Sequence, residues 1–197
     1  GLSARAYAPE RRAVRRELLC LLDLPLHVRD GREWRRAVGA FHQRMVAPAL
    51  RRLAEPVPAG RLRLLHLYNM GFVARTAEAC VGFDLHPGVR MRRPLSPRQL
   101  DMLAQCLDLA VISHDHYDHR HWGLVRRMLA VGKPVVLPDG PGRICAHRLA
   151  VRSRDLRDGA NVGPAGVLAL PGWQRVRVRN YVHCVDVSGF RLMHAGD

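Results

Sequence analysis

The stretch LAVISHDHYDH, residues 109–119, joins a short apolar run to a cluster of polar side chains. The apolar run predicts a buried strand, and three histidines and two aspartates follow within six consecutive residues. Imidazole nitrogen and carboxylate oxygen are the ligands that Zn²⁺ and similar divalent metals prefer. In extended backbone His114 and His116 point the same way, so both can bind one ion, while Asp118 and His119 can bind a second.

Around this stretch the sequence predicts an α/β domain preceded by a helical segment. Residues 1–60 carry apolar side chains at helical spacing and end in a linker containing Pro56 and Pro58. Over residues 61–197 short apolar strands are mixed with helical segments, which is typical of an α/β domain. The predicted strands are 61–68, 79–85, 109–113, 134–137, 166–170, 181–187 and 190–194, with helices after Ser96 and over 122–130.

Two short sequence signals predict the start of a helix and a turn between two strands. Ser96-Pro97-Arg98-Gln99 combines an N-cap serine, a first-turn proline and a glutamine three residues on, so it predicts a capping box. Ser188-Gly189 between two apolar runs predicts a hairpin turn. His121 is expected to begin the second helix, and His194 is expected to be structural or to support the site from outside the ligands.

The pattern His114-x-His116-x-Asp118-His119 at the end of an apolar strand resembles the HxHxDH signature of the metallo-β-lactamase superfamily. Val81-Gly82-Phe83-Asp84 resembles the strand that ends in the family's first aspartate, and His194-Ala195-Gly196-Asp197 resembles its Gly-Asp strand terminus. The residues around the motif look most like the branch containing ascorbate-phosphate lactonase and N-acylphosphatidylethanolamine phospholipase D. The resemblance covers residues 61–197 and implies a metallo-β-lactamase-like αββα sandwich.

The resemblance also implies a site for two divalent metal ions, Zn²⁺ first, with Fe or Mn as alternatives. Asp84 would orient the metal-binding loop without binding metal, and Asp118 would also orient the nucleophile or transfer a proton. The implied ligands are His114, His116 and His183 on one ion, Asp118 and His119 on the other, and Asp197 as the bridge between them.

Two departures from the family pattern concern this ligand set and the C-terminal half of the fold. The family supplies a further histidine after a strand ending in proline, but Trp173 or Gln174 stands there in this sequence. His183 is therefore either the replacement ligand or an ordinary strand residue. Family members also continue beyond Asp197. The sequence is thus expected to be a fragment, a chain completed by another segment or a homo-oligomer, or a reduced variant.

Composition restricts the class of protein further. The chain has 197 residues with 48% hydrophobic and 25% charged residues, which suits a packed globular protein. No apolar run approaches the roughly 18 residues that span a bilayer, so a soluble protein is expected. The five cysteines are odd in number and never spaced as CxxC, which favours reduced thiols and a cytoplasmic location. Most of them are expected to be small buried residues.

Three functions are consistent with the sequence. The ligand chemistry favours a metal-dependent hydrolase in which a hydroxide on a binuclear metal centre attacks a small, anionic ester, lactone or phosphodiester. The net charge of +15 is consistent with a surface set by codon usage, with anionic substrates, or with a metallo-β-lactamase-type nuclease acting on nucleic acid. The missing histidine and the end at Asp197 favour a third alternative, a degenerate, non-catalytic member.

Overall fold

In the computed structural model the described residues are 46–68, 70–86, 95–139, 146–174 and 178–196, with the isolated positions 13, 16, 17, 20, 36 and 40. These isolated positions and residues 46–54 are helical. Most of the predicted N-terminal helical segment therefore lies outside the described residues. The division at residue 60 stays a prediction.

A six-stranded mixed sheet forms the centre of the fold. Its strands lie side by side in chain order, with β1 to β3 antiparallel and β3 to β6 parallel. Parallel neighbours require crossovers, and helices supply two of them. The six strands are β1 (Arg63–Tyr68), β2 (Gly71–Arg75), β3 (Cys80–Phe83), β4 (Leu109–Val111), β5 (Val135–Leu137) and β6 (Ala150–Arg152).

Two helices cover one face of this sheet. Helix α1 (Pro97–Cys106) connects β3 to β4, and helix α2 (Trp122–Ala130) connects β4 to β5. The predicted capping box is confirmed, because Ser96 Oγ accepts from the Gln99 amide and the Gln99 side chain accepts from the Ser96 amide. The helices and residues 46–54 bury their apolar faces against the sheet. Their buried residues are Val46, Leu50, Leu53, Leu100, Leu103, Leu124, Val125 and Met128, and those facing them include Ala110, Ile112, Val135 and Leu137.

A four-stranded antiparallel sheet covers the other face, in the order β10-β9-β8-β7. Its strands are β7 (Ala160–Val162), β8 (Ala165–Gln174), β9 (Val178–Val187) and β10 (Phe190–His194). The predicted hairpin is confirmed, since Ser188 and Gly189 both have positive φ between β9 and β10, as a type I′ turn requires. The described residues thus build three layers, helix, sheet and sheet, with an apolar core between the two sheets that includes Val81, Leu109, Val111, Val136, Val167, Ala169, Tyr181, Val185 and Val187.

Strand β8 is longer than the sequence predicts because Pro171 does not interrupt it. Pro171 lies opposite Tyr181 of β9, whereas β7 pairs only with residues 165–167. Among the described residues β8 therefore has no partner strand on its other side at position 171, and a missing N–H costs no ladder hydrogen bond there. Trp173 stays on the strand with 66% of its surface exposed.

Burial bears on two further expectations. Of the described cysteines, Cys80 is buried, Cys106 and Cys184 are half-buried, and Cys20 is exposed, so the expectation that most are buried is wrong for these positions. Cys145 lies outside the described residues. Within the described part of the chain, none of the helices is long and apolar enough to cross a membrane. The cytoplasmic location stays a prediction.

Candidate metal centre

The histidine-rich loop lies at the carboxyl edge of the parallel strands. Asp84 follows β3 directly, and Ser113 and His114 follow β4 after one further residue. The Asp84 amide donates to the Val111 carbonyl at 2.9 Å, which holds the two strand ends together. In open α/β sheets this edge is the usual place for ligands.

The carboxylate of Asp84 connects the parts of this site. Its Oδ1 accepts from the Ser113 amide at 2.7 Å. Its Oδ2 accepts from Ser113 Oγ at 2.6 Å, His119 Nδ1 at 2.8 Å and His194 Nε2 at 2.6 Å. Burial alone would raise the pKa of Asp84, but the hydrogen bonds from His119 and His194 lower it below its usual value. Asp84 is therefore ionised and acts only as an acceptor.

These bonds determine which nitrogen of two histidines carries the proton. His119 Nδ1 must donate to the carboxylate, so its buried Nε2 carries the lone pair. Ser113 Oγ donates to Asp84 and therefore accepts from His114 Nδ1 at 2.9 Å, which places the His114 lone pair on Nε2 as well. Such carboxylate–histidine pairs are the usual way in which proteins orient imidazole ligands toward a metal.

The first predicted pair of ligands, His114 and His116, is brought together. His114 Nε2 lies 3.0 Å from His116 Nδ1, and the ring centroids are 4.6 Å apart. Two nitrogens bound to one zinc ion at about 2.0–2.1 Å with a tetrahedral angle lie roughly 3.3 Å apart. Because His114 Nε2 carries the lone pair, His116 Nδ1 donates a hydrogen bond to it. The two nitrogens are close enough to share a cation in place of this hydrogen bond.

The second predicted pair, Asp118 and His119, is also adjacent. His119 Nε2 lies 3.9 Å from Asp118 Oδ2, with His119 fully buried and Asp118 partly exposed. The rings of His114 and His119 are 4.0 Å apart between centroids, so both pairs belong to one cluster. Asp118 is the member of this pair that reaches solvent.

The cluster does not by itself supply a complete ligand set. No group of three or more His, Cys, Asp or Glu side chains within the described ranges is arranged around one metal position. Asp197, the predicted bridging ligand, lies outside the described residues. The donor types, tautomers and spacing nevertheless fit divalent metal, with two donors on each side of the cluster.

His183, the remaining predicted ligand, lies on β9 between the two sheets. Ser153 Oγ donates to the Leu137 carbonyl at 3.1 Å and accepts from His183 Nε2 at 3.0 Å. His183 Nδ1 then carries the lone pair, and this buried atom has no hydrogen-bond partner within the described part of the chain. Burial lowers the pKa of His183 to about 4, so the ring is neutral. A neutral ring with an unpartnered nitrogen suits a ligand.

Ser113 and His194 are functional candidates that the sequence analysis leaves without a specific role. Ser113 Oγ donates to Asp84 and accepts from His114, so it connects these two residues. His194 and His119 both donate to Asp84 Oδ2. His121 begins helix α2 as expected, with its Nδ1 accepting from the Leu124 amide at 3.1 Å. Ser113 stands directly before the first motif histidine, which is the signal that could have identified it.

A polar network surrounds Asp139 at the carboxyl end of β5. Tyr181 donates its hydroxyl to Asp139 Oδ2 at 2.6 Å, and Arg179 donates to the same oxygen at 3.1 Å. The Arg179 guanidinium lies 5.5 Å from the ring centre of Trp173. Asn180, between Arg179 and Tyr181, forms a backbone bridge with His114, so this network adjoins the histidine cluster.

Comparison with known proteins gives likeness of fold. No model of a known protein family matches the sequence, and no curated protein matches it. A candidate metal-dependent hydrolase from Parabacteroides distasonis superposes with a TM-score of 0.50 and 14% identity, covering 69% of this chain and 60% of that chain. The metallo-β-lactamase fold protein YhfI from Bacillus subtilis gives 0.46 and 15%, covering 72% and 60%. CmlA, a diiron β-hydroxylase from Streptomyces venezuelae, gives 0.46 and 19%, covering 72% and 30%.

The chain therefore spans between 30% and 60% of the length of these three solved structures. At such identities the likeness concerns the fold alone. The layer order and the position of the histidine loop after β4 agree with the α/β architecture predicted from the motif. The chain has the metallo-β-lactamase-like fold.

Proposed function

We propose that this chain binds two divalent metal ions, Zn²⁺ first, at the His114–His119 loop and belongs to a metal-dependent hydrolase. The observation that supports the proposal is the hydrogen bonding of Asp84. Asp84 orients His119 directly and orients His114 through Ser113. An ionised carboxylate that orients two neighbouring imidazoles, one of them through a serine hydroxyl, is typical of metal sites. A chance cluster of surface histidines would not share one buried acceptor.

The proposed ligands keep the assignment drawn from the sequence. His114 and His116 hold the first ion, and His183 is the proposed third ligand because its buried Nδ1 has no partner within the described residues. Asp118 and His119 hold the second ion, and Asp197 bridges the two. Zn²⁺ suits this mixture of imidazole and carboxylate, and Fe or Mn are alternatives.

When bound, the metal ions lower the pKa of coordinated water toward about 7 and stabilise negative charge on an attacked carbonyl or phosphoryl oxygen. The residues of the chain hold and orient the reacting groups. Asp118 is partly exposed beside His119, so it orients the nucleophile or carries a proton to solvent. Asp84 keeps His119 in the tautomer that presents Nε2.

The proposed substrate is a small anionic ester, lactone or phosphodiester. Arg179 supports the anionic character, because its half-exposed guanidinium is fixed by Asp139 and lies beside Trp173. A guanidinium held in this way presents its remaining N–H groups to a carboxylate or phosphate. The net charge of +15 acts in the same direction by attracting anions at long range.

The proposal is tested with His116→Ala and Asp118→Asn, using Asp115→Asn as the matched control. Asp115 lies in the same loop but is exposed and pairs with Arg120, so its replacement should leave metal content and turnover unchanged. We expect both site variants to lose bound zinc and metal-dependent turnover of a panel of phosphodiesters, lactones and esters while remaining folded. Full turnover in either site variant would remove the assignment.

Two other functions are separate outcomes of the same experiment. The charge of +15 favours a nuclease, which would show metal-dependent cleavage of RNA or DNA and binding that weakens with salt. The sequence has Trp173 or Gln174 where the family pattern has a histidine. This favours a non-catalytic member, which would fail to retain two ions per chain.

A further inference from the structure

His194 on β10 reaches across the two sheets to the metal-binding loop. It lies opposite His183 in the β9–β10 register, and both side chains are buried. Its Nε2 lies 2.6 Å from Asp84 Oδ2. Because a carboxylate is only an acceptor, His194 donates this bond. The contact connects residues 110 positions apart in the chain.

Asp84 needs such a restraint because its backbone is unusual. Its φ is +44°, a conformation that non-glycine residues rarely adopt and that persists only when the surrounding structure enforces it. His194 packs against the preceding Phe83, with ring centroids 5.4 Å apart, and against Phe72 at 6.5 Å. Packing against these two rings therefore fixes the His194 imidazole in the orientation that bonds to Asp84.

The end of β10 is fixed against the same loop by a second contact. Asn180 donates to the Ala195 carbonyl at 2.7 Å. A Cβ at Gly196, where φ is +73°, would lie 2.5 Å from Asn180 Oδ1 and 2.7 Å from Ser113 Oγ, so only glycine fits there. His194 and Gly196 thus contact Asp84 and Ser113, the two residues that set the tautomers of His119 and His114.

We propose that His194 is a positioning residue for the metal centre, acting through Asp84 on the ligand His119. The inference rests on the proposed function, since it takes His119 as a metal ligand. Without His194, Asp84 Oδ2 keeps the Ser113 and His119 bonds but loses the donor from the second sheet. The carboxylate is then held only by Ser113 and His119, so His119 is fixed less firmly in the orientation that binds metal.

The test compares His194→Leu, which removes the donor, with His194→Gln, whose amide retains one. Leu192→Ala is the matched control, because Leu192 is on the same strand and packs in the core between the sheets. Zinc affinity is measured for each full-length chain by competition with a chromophoric chelator. We expect His194→Leu to bind zinc about 10-fold to 100-fold more weakly, the usual effect of losing an outer-shell partner. His194→Gln should be closer to the wild type, and Leu192→Ala should match it.

A second measurement does not depend on metal. In the metal-free wild type, ¹H–¹⁵N spectra should show a His119 Nδ1 proton protected from exchange by Asp84. In His194→Gln that proton should stay protected, whereas in His194→Leu its exchange should accelerate. If His194→Leu does not fold, the exchange rate of the His119 Nδ1 proton is compared in the wild type and His194→Gln. Rapid exchange of this proton in both overturns the proposal.

The remaining outcomes separate this inference from the function on which it rests. Equal zinc affinity in wild type, His194→Leu and Leu192→Ala overturns the positioning role and leaves the metal centre intact. A loss as large in Leu192→Ala as in His194→Leu also overturns it, because loosening of β10 would then explain both. A wild-type chain that binds no zinc overturns the proposed function together with this inference.

Discussion

Asp84 is the residue on which the geometry of the centre depends. It accepts from Ser113, His119 and His194 while fully buried. Asp84→Asn replaces one acceptor oxygen by an NH₂ group that faces donors. We therefore expect a loss of about 1–3 kcal/mol in the free energy of unfolding and zinc binding about 10-fold to 100-fold weaker.

Urea unfolding of the metal-free chain and chelator competition measure the two effects of Asp84→Asn. Asp108→Asn is the control, because Asp108 is a carboxylate outside the cluster that bonds to Lys133 and to the Cys80 amide. It should lose some stability without changing zinc affinity. Unchanged zinc affinity in Asp84→Asn would contradict the orienting role.

Burial of His183 should make the stability of the metal-free chain depend on pH. Burial lowers the pKa of His183 from 6.5 to about 4, so below pH 6.5 the unfolded chain binds a proton that the folded chain does not. The free energy of unfolding is highest above pH 6.5 and falls as the pH drops toward 4, by up to about 3 kcal/mol in total. Urea titrations at pH 7 and pH 5 should show that His183→Leu loses much of this dependence. A His183→Leu variant as acid-sensitive as the wild type would count against it.

The sequence predicts the cluster residues but not all of their partners. Because the HxHxDH motif is local, spacing alone identifies His114, His116, Asp118 and His119. Ser113 and His194 act through Asp84, which lies 29 and 110 positions away from them. Such contacts follow from which strands pair and face one another, and that information is not contained in either segment.

At the scale of elements, the start of α1 gives a prediction that is independent of the metal centre. Ser96 Oγ accepts from the Gln99 amide at 3.3 Å, and Gln99 Oε1 accepts from the Ser96 amide at 2.8 Å. Ser96→Ala removes the cap and should lower the free energy of unfolding by about 1 kcal/mol, whereas Ser96→Asp should retain most of it. Urea unfolding checks this, and equal losses in the two variants would show that capping is not the cause.

The elements that sequence patterns predict well are those with a local signal. Helices α1 and α2 begin at capping residues, and β10 follows a two-residue turn. The strands β2, β6 and β7 are missing from the sequence analysis. The last two are only three residues long and lie at sheet edges, so alternation cannot reveal them. β2 is seen only once its pairing with β1 and β3 is known.

At the scale of the whole molecule, the core between the two sheets should dominate stability. Leu109 on β4 is fully buried there, whereas Leu170 on β8 is 45% exposed. Leu109→Ala should cost about 2–5 kcal/mol because it leaves a cavity in a packed core. Leu170→Ala should cost much less. Chemical denaturation of both variants tests the arrangement, and a Leu170→Ala loss equal to that of Leu109→Ala would contradict it.

We propose that one chain binds two divalent ions at the loop organised by Asp84. The most direct measurement is metal content per chain by elemental mass spectrometry, with the intact mass determined on the same sample. After zinc loading and dialysis, we expect close to two ions per wild-type chain and a clear reduction in His114→Ala and His119→Ala. One ion or none in the wild type, or an unchanged content in the variants, would contradict it.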